Sequence, residues 1–358
     1  MTSDLPGGTC HVMFAFEAGF AIDLARAQAL LSTGGREGLS TGGRNLGGAD
    51  FHPRPVRVLR SAPEVTVGAW RSGPGATVTL FDFGAVSVSL AFPIEGDLAA
   101  LLPLARGIST SVALRTAARA VADDVLRAVA PAIAKPHATS QTEDFVVFAL
   151  PAAWTGAPFD RTLVARLLRA EEGALSEDEI ADAVAQSVRY APNDLAIVDW
   201  NAALLLDDDP SDALAVLEFA NTELLEMRYL DDELDASLAE AYELSARHLR
   251  RRRPFGARMA RDVSRLAELQ IDAASLFEAV NNALKLFGDQ YLARLHAAAT
   301  RRFHTDDYER SVLRKIETLE SIYGKIRDSQ AQVRAEILEW IIILLIAFEV
   351  VMSLLRAR

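Results

Sequence analysis

The closing stretch of the chain, 306–358, constrains everything before it. Apolar or seam-like residues recur at Val312, Ile316, Leu319, Tyr323, Ile326, Gln330, Val333 and Ile337, in steps of four and three. That is the spacing of a coiled-coil seam. From Ile337 no helix breaker intervenes before Trp340–Phe348, then Glu349, then Val350–Leu355. One helix is therefore expected over 306–355, opening as a coiled-coil stalk over 306–337 and closing as a transmembrane helix over 338–355. The apolar part is about 18 residues, roughly 27 Å of helix, at the short end for a bilayer core. Its Ile, Leu, Phe and Val residues contribute about −5 kcal/mol on an insertion scale, and Glu349 costs about 3 kcal/mol. Trp340, Ile341, Leu344, Phe348, Glu349 and Val351 are the anchor residues on this reading. The competing reading is a core helix inside an oligomer.

Numbering the heptads places Gln330 at an a position, where a buried polar side chain fixes register at some cost in stability. The oligomerisation seam runs through Ile316, Leu319, Tyr323, Ile326, Gln330, Val333 and Ile337. Glu349 falls on the side opposite the seam. In a two-stranded coil it would face lipid, which is costly, so further helices are expected to surround it. The stretch is thus read as an assembly element as well as an anchor.

The 358 residues suffice for two domains, each with its own core. A net charge of −12 argues against binding nucleic acid or anionic lipid with the whole surface, while leaving room for a local basic patch. The one cysteine, Cys10, permits no internal disulfide and fits a reducing compartment. The N-terminus has neither a basic, apolar signal pattern nor an Arg-rich transit pattern. The expected location is the inner (cytoplasmic) membrane, with the bulk of the chain in the cytoplasm.

Ahead of the helix lies a mixed region. Strands are expected at 9–17, 56–59, 65–70, 77–83, 86–92, 145–150, 195–199 and 202–206, and helices at 22–31, 110–133, 160–169 and 177–188. Val86-Ser-Val-Ser-Leu90 alternates strictly, as in a strand with one wet face. Ser176-Glu-Asp-Glu179 is a capping box. Residues 33–50 carry seven glycines and few apolar residues and read as a flexible loop. After Pro210 the pattern is helical, over 211–252, 257–303 and 306–355. The fold class is α+β: an N-terminal mixed α/β domain over 1–209, a hairpin of long antiparallel helices over 210–305, then the stalk and the anchor.

No constellation carries obvious chemistry. His11, His52, His137, His248, His296 and His304 lack ligand spacing, so no metal and no cofactor is implied. Cys10 and His11, adjacent on a strand, point to opposite faces and make poor partners. The acids at Asp207–Asp209 and Asp231–Asp235 read as a helix-start charge and a solvated helix face. Arg247, Arg250, Arg251, Arg252, Arg253 and Arg258 form a basic patch at one helix corner. It reads as a helix-end complement with ion pairs, as a contact for anionic lipid, or as a contact for the phosphates of RNA or a ribosome. Asp194, Asp199, Trp200 and Asn201 are the candidate enzyme residues. Against that stands a structural reading: a turn former, a core ring and a backbone-bonding amide.

Four stretches carry a resemblance: Asp194–Ala203, Leu217–Tyr229, Asn282–Arg294 and Leu338–Val351. Together they resemble the family required for meiotic nuclear division, also known as domain of unknown function 155. That resemblance implies a membrane protein whose C-terminal helix supports large homo-oligomers, with mitochondrial members linked to translation support. It supplies no catalytic residues.

Three functions follow as expectations. The first is a non-enzymatic, membrane-anchored, self-associating scaffold whose partners are itself and the lipid bilayer. The second is a membrane tether for RNA or ribosomes through the arginine corner. The third is an enzyme with a site near Asp199.

Overall fold

The computed structural model describes residues 7–33, 53–137, 141–156, 160–192, 194–250 and 290–356, with 271, 274, 275, 277 and 278 between the last two. The expected loop at 33–50 lies, apart from Thr33, outside the described residues. So do Arg251, Arg252, Arg253 and Arg258, and of the patch only the backbone of Arg247 and Arg250 is described.

The chain divides into two compact units, residues 1–229 with 276–308, and residues 230–275 with 309–358. In the first, twelve strands are described: β1 (Gly8–Glu17), β2 (Gly19–Ile22), β3 (Val56–Ser61), β4 (Thr66–Val67), β5 (Trp70–Arg71), β6 (Gly75–Leu80), β7 (Ala85–Ile94), β8 (Ile133–Pro136), β9 (Thr142–Leu150), β10 (Ser187–Val188), β11 (Leu195–Val198) and β12 (Ala202–Leu206). Eight of them form one sheet in the order β10-β11-β12-β9-β1-β7-β6-β3. All neighbours in it are antiparallel except β12 and β9. Two ribbons, β2–β8 and β4–β5, stand apart from it.

Side chains alternate across a strand, so register sorts the sheet into two faces. Val12 is opposite Leu90 and Val146, and Leu90 is opposite Ala76. This face also carries Cys10, Phe14, Phe16, Val58, Val78, Phe148 and Leu204, all in one buried apolar cluster. Helices α1 (Leu24–Thr33), α2 (Leu102–Ser109), α3 (Val112–Val129) and α4 (Arg161–Arg169) contribute Ala27, Leu104, Leu114, Val121 and Leu167 to the same core. Helix α3 starts where the Ser111 side chain accepts from the Leu114 amide, and α4 where Asp160 accepts from Thr162 and Leu163. Helix α5 (Glu177–Ala183) is capped by Ser176, and the capping box was legible for that reason.

The opposite face mixes polar side chains with apolar ones such as Phe145 and Val147. It holds His11, Met13, Ala15 and Glu17 of β1, Ser87 and Ser89 of β7, Thr77 and Thr79 of β6, and Arg57 of β3. Alternation predicts a wet face here, and that expectation is corrected. Ser87 and Ser89 are buried, because two helices cover this side. They are α6 (Ser211–Arg250), through its residues up to Tyr229, and α7 (Gln290–Phe303). Arg57 meets Glu218 of α6 at 2.7 Å, Glu143 of β9 meets Arg228 at 2.6 Å, and Phe145 packs edge-on against Phe303 at 5.1 Å. At the end of the sheet Gly84 turns β6 into β7 with φ 102°. A Cβ there would stand 1.8 Å from the Gly19 carbonyl oxygen, so only glycine fits.

The second unit holds the rest of α6 and helix α8 (Thr305–Arg356) from Glu309 onward. Leu234, Ala241, Val312, Leu319 and Ile322 are buried. Lys315 bridges Asp231 and Asp235, at 2.7 Å each. The acids at 231–235 therefore hold a lysine of α8 and are not simply a solvated face. Of the seam residues, Leu319 is buried and Ile316 half-buried within the single chain. The side chains of Tyr323, Ile326, Gln330, Val333 and Ile337 lie outside those described, as does that of Val351.

Helix α8 runs as one element, but the expected anchor is corrected. Among the described residues no helix is long and apolar enough to cross a membrane. The wholly uncharged run is short: between Glu339 and Glu349 it is Trp340–Phe348. That run makes about 14 Å of helix against roughly 30 Å of bilayer core. The transmembrane helix, the tail anchor and the inner-membrane location fall with it. Trp340, Ile341, Leu344, Phe348 and Glu349 stand exposed on α8.

Candidate functional site

Two clusters of buried ionisable groups stand out in the first unit. The first is built on the turn between β11 and β12. Asp199 follows β11, and its amide donates to the Ala202 carbonyl at 2.9 Å, closing the turn. Its carboxylate is 1% exposed. Arg302, near the end of α7, donates through Nε to Oδ1 at 2.7 Å, and Arg169, at the end of α4, donates through Nε to Oδ2 at 2.9 Å. Both guanidinium groups also reach Asp182 of α5, each at 2.6 Å, and Arg169 pairs with Glu179.

Electrostatics follow from that packing. The hydrogen bond from Arg302 is the main reason that the Asp182 carboxyl titrates at about 2. Burial by itself would lower the pKa of Arg302, but its bonds to Asp182 and Asp199 outweigh this and raise it. Arg169 behaves likewise, with Asp199 as its main partner. Two cations thus face three carboxylates, and both oxygens of Asp199 are taken. This arrangement ties α4, α5 and α7 to the β11–β12 turn. Both carboxylate oxygens of Asp199 are thereby held by arginines.

The remaining residues of the enzyme expectation do not converge. Asp194 accepts from the amides of Tyr190 at 2.8 Å and Ala191 at 3.0 Å, so it shapes a turn. Trp200 is 47% exposed. Its ring lies 5.1 Å from the Arg302 guanidinium carbon and 4.9 Å from the His304 ring. Asn201 is exposed, and its backbone carbonyl accepts from Val146. Among the described residues no three His, Cys, Asp or Glu side chains are placed to hold a metal ion. Cys10 and His11 do point to opposite faces. Burial pushes the Cys10 thiol up out of the reactive range, and burial lowers the pKa of His11 against the pull of Glu218.

The second cluster lies where β1 ends. Glu17 and Glu226 of α6 are both buried, and His137 Nε2 stands 3.2 Å from Glu17 Oε1. Further along the covering helices, Glu223 meets His296 of α7 at 2.9 Å. Sequence reasoning passed over Arg169, Asp182, Glu17, Glu226 and Arg302. One signal was available: Glu218, Thr222 and Glu226 repeat every fourth residue, and all three are buried. A polar stripe at that period on the buried side of a helix announces a polar partner surface.

With the geometry in place, the comparisons with known proteins acquire a location. The chain belongs to the family whose model describes the N-terminal domain of the uncharacterized protein MJ0711, matched over residues 7–213. It is 26% identical over 200 residues to that protein from Methanocaldococcus jannaschii. The match takes in 55% of this chain and 60% of the length of the archaeal protein. No solved structure matches. The matched region contains the whole sheet and α1–α5, and ends as α6 begins.

This corrects the resemblance to the family required for meiotic nuclear division. Three of the four stretches that carried it, 217–229, 282–294 and 338–351, lie beyond the matched region. The fourth, Asp194–Ala203, is a β-hairpin with a structural aspartate. Apolar helical runs and hairpins arise wherever a chain must bury surface, so they discriminate weakly between families.

Proposed function

We propose that the protein is a non-enzymatic, self-associating scaffold, assembled through the C-terminal half of α8. One observation carries this reading. Every residue from Leu338 to Glu349 is exposed in the single chain, Trp340 at 65%, and all but Glu339 and Glu349 are apolar. Twelve consecutive residues pass more than three times round a helix, so the apolar surface faces every direction and not one stripe. A helix apolar all round requires cover all round. Further copies of the same helix supply cover of matching length and chemistry. The two arginines that hold the buried Asp199 carboxylate support the non-enzymatic side of the reading.

Sedimentation velocity of the full chain beside an Ile342→Glu, Leu345→Glu variant tests it. The native chain is expected to sediment as a closed oligomer and the variant as a monomer with unchanged circular dichroism. Identical sedimentation of the two would refute assembly through α8.

A further inference from the structure

Two carboxyl groups face one another under α6 without the partners that buried charges require. Glu17 is 1% exposed and Glu226 is fully buried. Taken as carboxylates, none of their four oxygens receives a hydrogen bond from the described residues. His137 contacts Glu17 from the solvent side, with about a third of its side chain exposed. The Tyr229 ring stacks on the imidazole at 5.0 Å and 17°.

The surroundings fix this corner. Lys135 takes a left-handed φ of 44° where β8 leads to His137, a conformation a side chain adopts only when its neighbours enforce it. Gly19 pairs with Pro136, and the His137 amide donates to the Ala18 carbonyl at 3.3 Å. Gly84 closes on Gly19 with no room for a side chain.

A single proton supplies what is missing. It removes one of two repelling charges and creates an O–H that Glu226 can donate to the Glu17 carboxylate. We propose that Glu17, Glu226 and His137 form a proton-binding latch that holds α6 on the end of β1 while one carboxyl is protonated and loosens it when both ionise. On opening, the Glu226 O–H breaks, its electron pair stays on the carboxylate, and the proton leaves to solvent by way of the exposed imidazole.

The neighbours agree with this assignment. Facing the pair are His137 from the end of β8 and Ala85 of β7, which lies opposite Glu17. On β9, Glu143 shares the same face, but its charge is met by Arg228 of α6. Burial first, then the Glu17 charge and the hydrogen bond to Glu17, hold the pKa of Glu226 well above the ordinary carboxyl range. A folded-state pKa above the unfolded one gives stability that is complete in acid and lost as pH rises through the folded value. While the folded protein holds one more proton than the unfolded chain, the unfolding constant grows up to about tenfold per pH unit.

The test uses the full chain from about pH 5 to about pH 9. Infrared spectra report a protonated carboxyl, and amide hydrogen exchange, corrected for intrinsic base catalysis, reports the opening of α6. The native protein is expected to show a carboxylic-acid band at neutral pH and faster α6 exchange as pH rises. Glu226→Gln, which keeps a donor without needing a proton, should lose both the band and the pH dependence. Should that variant fail to fold, Glu17→Gln leaves a single carboxyl and should likewise flatten the profile. Absence of the band at neutral pH, or equal pH dependence of α6 exchange in native and variant proteins, would overturn the latch.

Discussion

The two faces of the eight-stranded sheet are made by alternate residues of the same strands, one position apart, yet they are built by opposite means. One face is apolar across the sheet, and α1–α4 cover it with more apolar side chains. The other carries His11, Glu17, Arg57 and Glu143, which meet Glu218, Glu226 and Arg228 of α6. Charge occurs at the apolar face too, but only at its rim, where Arg115 meets Asp144 at an exposed 3.4 Å contact. The family match includes every strand and the helices of the apolar face, and stops before the helices that cover the polar one. The lesson is physical. An apolar face must be covered for the sheet to exist, whereas a polar face can be left wet or closed by whatever complementary helices the chain supplies.

The comparison can be broken most sharply on the apolar side. Phe148→Ala removes a fully buried ring and should cost about 3–5 kcal/mol in denaturant unfolding. A cost below 1 kcal/mol would mean that this face is not the continuous core. On the polar side Asp199→Ala strips the buried Arg302 of one of two partners. The expected loss is about 3 kcal/mol, at the low end for a broken buried pair because Asp182 remains. A neutral outcome would show that the cluster is loosely held.

His11 gives a smaller effect with a definite sign. Its folded-state pKa is lowered by burial, so its contribution to stability is present above the usual histidine range and lost as pH falls through that range. In His11→Gln the fall in melting temperature below about pH 6 should be shallower than in the native protein. An unchanged slope would mean that His11 titrates freely. The smallest effect belongs to the rim: Arg115→Ala should change stability by no more than about 1 kcal/mol. A larger loss would show that charge matters to the apolar face as well.

Much of the frame was legible from residue order. The alternation at Val86–Leu90, the cap at Ser176 and the unbroken pattern over 306–355 correspond to β7, α5 and α8. Other signals were read too far. The apolar run after Ile337 suggested a membrane span because its apolar residues outweighed Glu349, yet among the described residues no helix is long and apolar enough to cross a membrane. The serines of β7 suggested water because alternation reports polarity and not what lies above it. The cluster at Asp199 was half visible, since Asp199 and Trp200 drew attention but their partners did not.

What the sequence determined by itself is therefore periodic: where many of the strands and helices run, and that the strand at Val86–Leu90 has one apolar and one polar face. Such patterns are set by neighbours two to four positions apart, and backbone geometry turns them directly into faces. Only the tertiary structure decided that the polar face is buried and which charges meet across it. Arg302 lies 103 positions from Asp199, and Glu218 lies 161 from Arg57. Pairs that distant depend on the register of eight strands and on where two later helices are laid. No local pattern encodes either, because the free energy of a buried ion pair exists only once both partners have been brought out of water together.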